Sequence, residues 1–198
     1  MKKIYLVLFI LTGLVASAQE FDKNLVTART SYSSGDLENA RFAMEAMLRD
    51  LDMAIGKEIL KMLPAQMGAL KANVKEDNLS GGTNAAGLFV QRNYGAAPRQ
   101  AELEIINNSP LMNSIGAIVN NPMLGGMMSN DNQKVIKIQG YKSLLNKNVD
   151  TETGKTNYEL QIPLSNTLVT LKLYDTNENE ITGFGNSIPL AKIAQIAQ

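Results

Sequence analysis

The first third of the chain carries apolar residues at helical spacing. Phe21, Leu25, Ala28 and Tyr32 recur every three or four positions, and Ser33-Ser34-Gly35-Asp36 then interrupts the pattern. Asp36 is well suited to cap a second helix. The apolar stripe of that helix comprises Leu37, Ala40, Met44, Met47, Leu48 and Leu51. Because charged residues occupy the opposite side, the pattern predicts a helical hairpin with one buried side, which ends at Pro64.

Beyond Pro64 the period changes to that of a strand. Apolar and polar residues alternate in seven segments, which predict strands over 70–74, 88–94, 101–105, 134–139, 142–147, 157–164 and 167–174. Residues 78–82 are predicted to form a loop. The connections between adjacent strands are too short for the crossovers that parallel strands need, so the predicted sheet is antiparallel.

Serine residues predict the starts of two further helices. Ser109-Pro110 combines a capping hydroxyl with a proline at the first helical position, and Ser187 precedes a closing helix that contains Ile193. The predicted fold class is α+β. It comprises a helical hairpin over residues 19–64 and, over residues 65–198, an antiparallel sheet with helices packed on one face.

Residues 1–18 have the pattern of a secretory signal peptide. Lys2 and Lys3 precede an apolar stretch over residues 4–15, and the small residues Ala16-Ser17-Ala18 follow. This stretch is shorter than the roughly 20 apolar residues that span a bilayer, and no later segment reaches that length without charges. We therefore expect a periplasmic or secreted protein with no membrane span in its mature form.

Composition limits the chemistry of the mature chain. Without Lys2 and Lys3 it has 17 basic and 19 acidic side chains, a formal charge of −2, which does not favour nucleic acid as a partner. Histidine and cysteine are both absent. Zinc sites, thiol catalysis and Ser-His arrangements are thereby excluded. Serine/lysine chemistry, paired carboxylates and oxygen-ligated calcium or magnesium remain possible.

An acidic segment near the C-terminus is a candidate calcium loop. Asp175, Asn177 and Asn179 alternate along the chain, as ligands do in calcium loops. The sixth position is Glu180, where the EF-hand pattern requires glycine, and the twelfth is Asn186, not a bidentate glutamate. The alternative interpretation is a solvated loop after a strand.

A methionine-rich segment is the candidate for a partner-binding loop. It contains Met123, Leu124, Met127 and Met128. Together with Met112, its thioethers could bind cuprous ion. The alternative, which we favour, is an adaptable apolar loop that contacts a partner.

Two glutamates raise the possibility of carboxylate chemistry. Glu102 and Glu104 share one face of a predicted strand, as Arg92 and Tyr94 do on its neighbour, which could group paired carboxylates with a cation. A glycosidase, however, needs carboxylates that face each other across a cleft. Charges on the water side of a sheet are the ordinary explanation.

Two segments resemble known families. Residues 28–48, reading ARTSYSSGDLENARFAMEAML, resemble a tetratricopeptide unit, in which a tyrosine, a Gly-Asp turn and spaced alanines let two helices pack closely. A solenoid needs about three such units, so we expect a lone hairpin. Leu63-Pro64, the strand ending at Glu104, the Ser109-Pro110 helix, Gly140 and the helix from Ile188 resemble exported PsbP-like domains of unknown function. That resemblance implies an antiparallel sheet flanked by helices and an accessory or binding role.

These observations favour an exported, non-enzymatic binding or accessory protein of the cell envelope without a cofactor. Its expected partner is an envelope or secreted protein, or a second copy of the chain. The alternatives are a hydrolase that uses carboxylates only, and a calcium-dependent protein.

Overall fold

The computed structural model describes residues 20–81, 87–121, 123 and 131–197. The predicted signal peptide lies outside these ranges. Within them, every helix is too short or too polar to cross a bilayer.

Five α-helices are described. They are α1 (residues 20–34), α2 (Leu37–Met62), α3 (Met112–Asn120), α4 (Glu178–Ser187) and α5 (Leu190–Ile196). The turn between α1 and α2 is made by Gly35 at φ +83°, a conformation that strains residues with a side chain. The Asp36 carboxylate then accepts a hydrogen bond from the backbone amide of Asn39 at 3.1 Å. This confirms the predicted cap of α2.

A seven-stranded antiparallel sheet follows the helical pair. Its strands are β3 (Asn78–Ser80), β4 (Phe89–Ala96), β5 (Arg99–Asn107), β6 (Gln133–Ile138), β7 (Tyr141–Val149), β8 (Thr156–Leu164) and β9 (Thr167–Leu173), in the spatial order β3-β4-β5-β9-β8-β7-β6. A small ribbon of β1 (Gln66–Met67) and β2 (Leu70–Lys71) precedes it. The predicted α+β class, with a helical pair and an antiparallel sheet, is confirmed.

One face of the sheet carries the main hydrophobic core. The register pairs Leu103 with Leu171 and Leu171 with Leu160, so a row of fully buried side chains crosses three strands. Ile59 in the C-terminal half of α2 belongs to the same core, where α2 lies against β3 and β4, and α4 and α5 contribute Ile181 and other apolar residues. The helical pair is thus joined to the sheet through the second half of α2.

Helix α3 packs on the opposite face. Leu144 and Leu168 occupy strand positions that alternate with the core positions, and they are buried against Ile115 and Val119 of α3. The predicted packing of helices on one face therefore describes α2, α4 and α5, and α3 is an exception on the second face.

Four local predictions differ from the structure. The predicted helix start at Ser109-Pro110 is replaced by a start at Met112, with Leu111 as the N-cap and no side-chain cap. The predicted strand over 70–74 ends at Lys71, and Val74 begins a 3-10 helix. Residues 78–80, predicted as a loop, pair with β4 as an edge strand. Ser187 does not cap the closing helix, because its hydroxyl donates to the Phe184 carbonyl at 2.7 Å and so belongs to the last turn of α4.

Candidate interaction surface on the helical hairpin

Small residues form the seam between α1 and α2. Ala28, Ser31, Ala40 and Ala43 are all less than 8% exposed. On one edge of the seam the Asn39 side-chain amide donates to the Ser31 hydroxyl at 3.1 Å. Alanine and serine leave little volume between the helices, so the backbones approach closely and the seam has no room for large side chains.

Six of the eight large apolar residues that the described hairpin exposes form one group. Their exposed fractions are 49% for Leu25, 67% for Tyr32, 62% for Leu37, 48% for Met44, 61% for Leu48 and 50% for Leu51. The predicted buried stripe on α2 is therefore wrong for these leucines and for Met44. Of that stripe, Ala40 is the residue that the seam buries.

Helical geometry places all six on one side of the hairpin. Leu25 and Tyr32 are seven residues apart on α1, and Leu37, Met44 and Leu51 follow the same interval on α2, which is close to two helical turns. The hydrogen bond between Asn39 and Ser31 marks one edge of the seam between the antiparallel helices. The apolar residues of α1 and those of α2 both lie toward the other edge. We call the surface of Leu25, Tyr32, Leu37, Met44, Leu48 and Leu51 the hairpin face.

The far side of the hairpin is polar. Lys23, Thr30 and Asn39 are exposed there, and Thr30 donates its hydroxyl to a backbone carbonyl of its own helix. Phe42 projects among them at 64% exposure, two residues and about 200° around the helix from Met44. Six of the eight exposed large apolar residues of the described hairpin therefore lie on one side, while Val26 and Phe42, at 65% and 64% exposure, lie outside that group.

The exposed area of the hairpin face can be compared with that of apolar patches on single chains. A large apolar side chain presents on the order of 200 Å2 when free, so six of them at about half exposure present about 600 Å2. The largest apolar patch on an ordinary monomer is about 300–600 Å2 and is often functional. The hairpin face thus lies at the upper end of that range.

Charge at the rim of this face is balanced. The Arg41 Nε lies 2.9 Å from the Glu45 Oε1, one helical turn further along α2. Both side chains are well exposed, so the pair contributes little to stability. The Arg41–Glu45 pair matters more for the choice and orientation of a partner, because opposite charges beside an apolar surface favour partners with a matching charge pattern.

The structure describes one residue of the predicted methionine loop. Met123 is 72% exposed just beyond α3. Leu124, Met127 and Met128 lie outside the described residues. Met112 belongs to α3 and packs against the small core beneath that helix.

The three calcium candidates have separate roles in the described structure. Asp175 accepts a hydrogen bond from the Lys155 ammonium at 2.9 Å. The Asn177 side chain accepts from the backbone amide of Glu180 at 3.1 Å and thereby caps α4, while Asn179 is exposed in the first turn of that helix. Among the described residues, no three acidic side chains are grouped closely enough to hold a metal ion.

Glu102 and Glu104 lie on the second face of the sheet. The Lys172 Nζ is 3.6 Å from the Glu102 Oε2 and 3.3 Å from the Glu104 Oε1, and the Gln91 amide donates to Glu102 at 2.5 Å. Burial raises the pKa of Glu104, although Lys172 opposes that shift. These carboxylates form a half-buried polar cluster.

The structure does not group these glutamates with Arg92 and Tyr94. Arg92 pairs across the strands with Leu103, so Arg92 and Tyr94 point to the core face, away from both glutamates. The carboxylates and the buried cation are therefore separated by the sheet.

The chain matches no family model, no curated protein and no solved structure in comparisons with known proteins. Its function is accordingly argued from its own surfaces.

Proposed function

We propose that this chain is an exported, non-enzymatic binding or accessory protein of the cell envelope that contacts protein through the hairpin face. The observation that carries the proposal is the concentration of six half-exposed apolar side chains on one side of the hairpin. Such a surface loses unfavourable contact with water when a partner covers it.

Four further points support this function. The N-terminal sequence pattern favours export, and the absence of histidine and cysteine removes the commonest catalytic side chains. The proposed resemblance to PsbP-like domains fits an accessory role, and the proposed resemblance to a tetratricopeptide unit fits a hairpin used for protein contact. The proposed location is the periplasm or the exterior of the cell.

Affinity purification of the tagged mature chain from its native envelope tests the proposal. Leu48→Glu places a charge within the hairpin face, and Phe42→Glu is the matched control, because Phe42 is equally exposed on the far side of the same helix. We expect capture of a specific protein by the wild type and by Phe42→Glu, with loss of capture by Leu48→Glu. Equal capture by all three chains would contradict the proposal.

A carboxylate-based hydrolase is the second candidate function, because burial raises the pKa of Glu104 beside another carboxylate. A raised carboxyl pKa is one property of a general acid. The purified mature chain would be tested for hydrolysis of glycoside and ester substrates, with Glu104→Gln as the comparison. Turnover that Glu104→Gln abolishes would establish the hydrolase in place of the binding protein.

A further inference from the structure

We propose that the hairpin face binds the same face of a second copy of this chain, so that two hairpins form a four-helix arrangement around a two-fold axis. This inference rests on the proposed function, since it names the protein that covers the hairpin face.

A single hairpin buries little of its own apolar surface. In α1 the buried residues are Ala28 and Ser31. A helix of about 15 residues is marginal in water unless packing supports it. Ordering α1 therefore requires more burial than the small residues of the seam provide, and the hairpin face is the surface available for it.

The apolar positions of α2 are symmetric along the helix. Leu37 lies seven residues before Met44, and Leu51 lies seven residues after it. A two-fold axis beside Met44 consequently sets Met44 against its own copy and Leu37 against Leu51 of the second copy. Spacing of seven residues is also the interval at which helices maintain contact along a bundle.

The rim charges are compatible with the same axis. Suppose that the two α2 helices run antiparallel and meet at Met44. At a rise of 1.5 Å per residue, Arg41 of one copy and Glu45 of the other are then about 3 Å apart along the helix axis. The two-fold axis also brings the side of α2 that carries Arg41 to the same edge of the contact in both copies. The contact therefore places both Arg41–Glu45 pairs beside the middle of the apolar strip, where the two Glu45 residues also lie about 3 Å apart along the helix axis.

The area is sufficient for two copies to associate. A stable interface of standard size covers about 800 Å2 on each partner. The six apolar side chains supply about 600 Å2 of this, and the aliphatic parts of Arg41 and other rim residues can supply the remainder. An extended partner segment would cover one helix of the hairpin, whereas a second hairpin covers both.

Sedimentation velocity of the mature chain at about 1–100 µM tests this inference. We expect the wild type to approach twice the mass of one chain, and Phe42→Glu to do the same. Leu48→Glu occurs twice in a symmetric dimer, so we expect it to weaken association at least 100-fold. A cooperative urea unfolding transition of the full mature chain, followed by circular dichroism, would show that Leu48→Glu folds.

The possible outcomes separate this inference from the proposed function. A wild-type chain that stays monomeric, while Leu48→Glu still abolishes capture of another envelope protein, overturns self-association and leaves the binding function intact. A dimer that Leu48→Glu does not weaken overturns the assignment to the hairpin face. Failure of both dimerisation and capture contradicts both proposals.

Discussion

The ion pair between Arg92 and Asp77 allows a sharp test of what holds the sheet to its neighbouring segments. The Arg92 Nε donates to the Asp77 Oδ1 at 2.8 Å, and its Nη2 lies 2.5 Å from the Oδ2. A third donation, from Nη1 at 3.0 Å, reaches the backbone carbonyl of Leu60 in α2. The two side chains are only 6% and 12% exposed. Arg92 thus ties β4, the segment before β3 and the end of α2 together.

Asp77→Ala should destabilise the fold strongly. It leaves a buried guanidinium with the Leu60 carbonyl but without its carboxylate, and breaking a buried pair in this way costs about 3–5 kcal/mol. An arginine guanidinium stays protonated in proteins, so Arg92 does not escape the cost in the variant by losing its proton. That loss is a large part of the roughly 5–15 kcal/mol that stabilises a typical domain.

Urea unfolding of the mature chain, followed by circular dichroism, measures the effect. With a slope of about 2 kcal/mol per M, the midpoint should fall by about 2 M. Glu58→Ala is the control, because it breaks the exposed 2.6 Å pair with Lys61 and should cost less than about 1 kcal/mol. The double variant Asp77→Leu/Arg92→Met removes both charges and should recover most of the loss. A cost below about 1 kcal/mol for Asp77→Ala, or no recovery in the double variant, would refute this reasoning.

Three further predictions follow from single residues. Burial raises the pKa of Tyr94 to about 12. The stability that the protonated Tyr94 contributes should therefore be complete below pH 10 and disappear as the pH rises from about 10 to about 12. Tyr94→Phe should remove this part of the pH dependence of urea unfolding. In α4, the Cβ added by Gly183→Ala meets no atom within 4 Å, so this variant should stabilise the fold by about 0.5–1 kcal/mol. The Cβ added by Gly185→Ala lies 2.7 Å from the fully buried Leu160, so this variant should destabilise the fold by about 1–3 kcal/mol. Thermal melts of the two variants would compare these effects. Asn177→Ala removes the cap of α4 and should lower the free energy of unfolding by about 1 kcal/mol in titrations with or without calcium. A loss that appears only with calcium would instead support the ion site.

The long strands could be predicted from sequence because their period and turns agree. In β5, Leu103 and Ile105 alternate with Glu102 and Glu104, and the register buries the first pair and leaves the second pair half exposed. Strand β3 was missed because its three residues are held by pairing with β4, a contact that local sequence does not encode.

Helix α4 was missed for a different reason. Gly183 and Gly185 lower its helix propensity, and its acidic start matches a loop pattern. In the structure Gly185 is required by the close approach of Leu160, so tertiary packing determines this helix. Sequence patterns do not contain that distance.

The hairpin was predicted correctly as a pair of helices, but its exposed and buried sides were not. A period of 3.6 residues identifies the apolar stripe of Leu37, Met44 and Leu51 without showing what covers it. The signal that could have corrected the prediction was the line of Ala28, Ala40 and Ala43, since small residues mark a close seam between helices.

Photo-crosslinking in the native cell tests the central claim most directly. A photoreactive amino acid would replace Leu48 in the hairpin face, and in separate strains it would replace Phe42 or Val74, which are exposed at 64% and 61% elsewhere on the chain. We predict a protein adduct of defined mass from position 48 and none of comparable yield from the two controls. Equal adducts at all three positions, or adducts at the controls alone, would contradict the claim that this protein acts through the hairpin face.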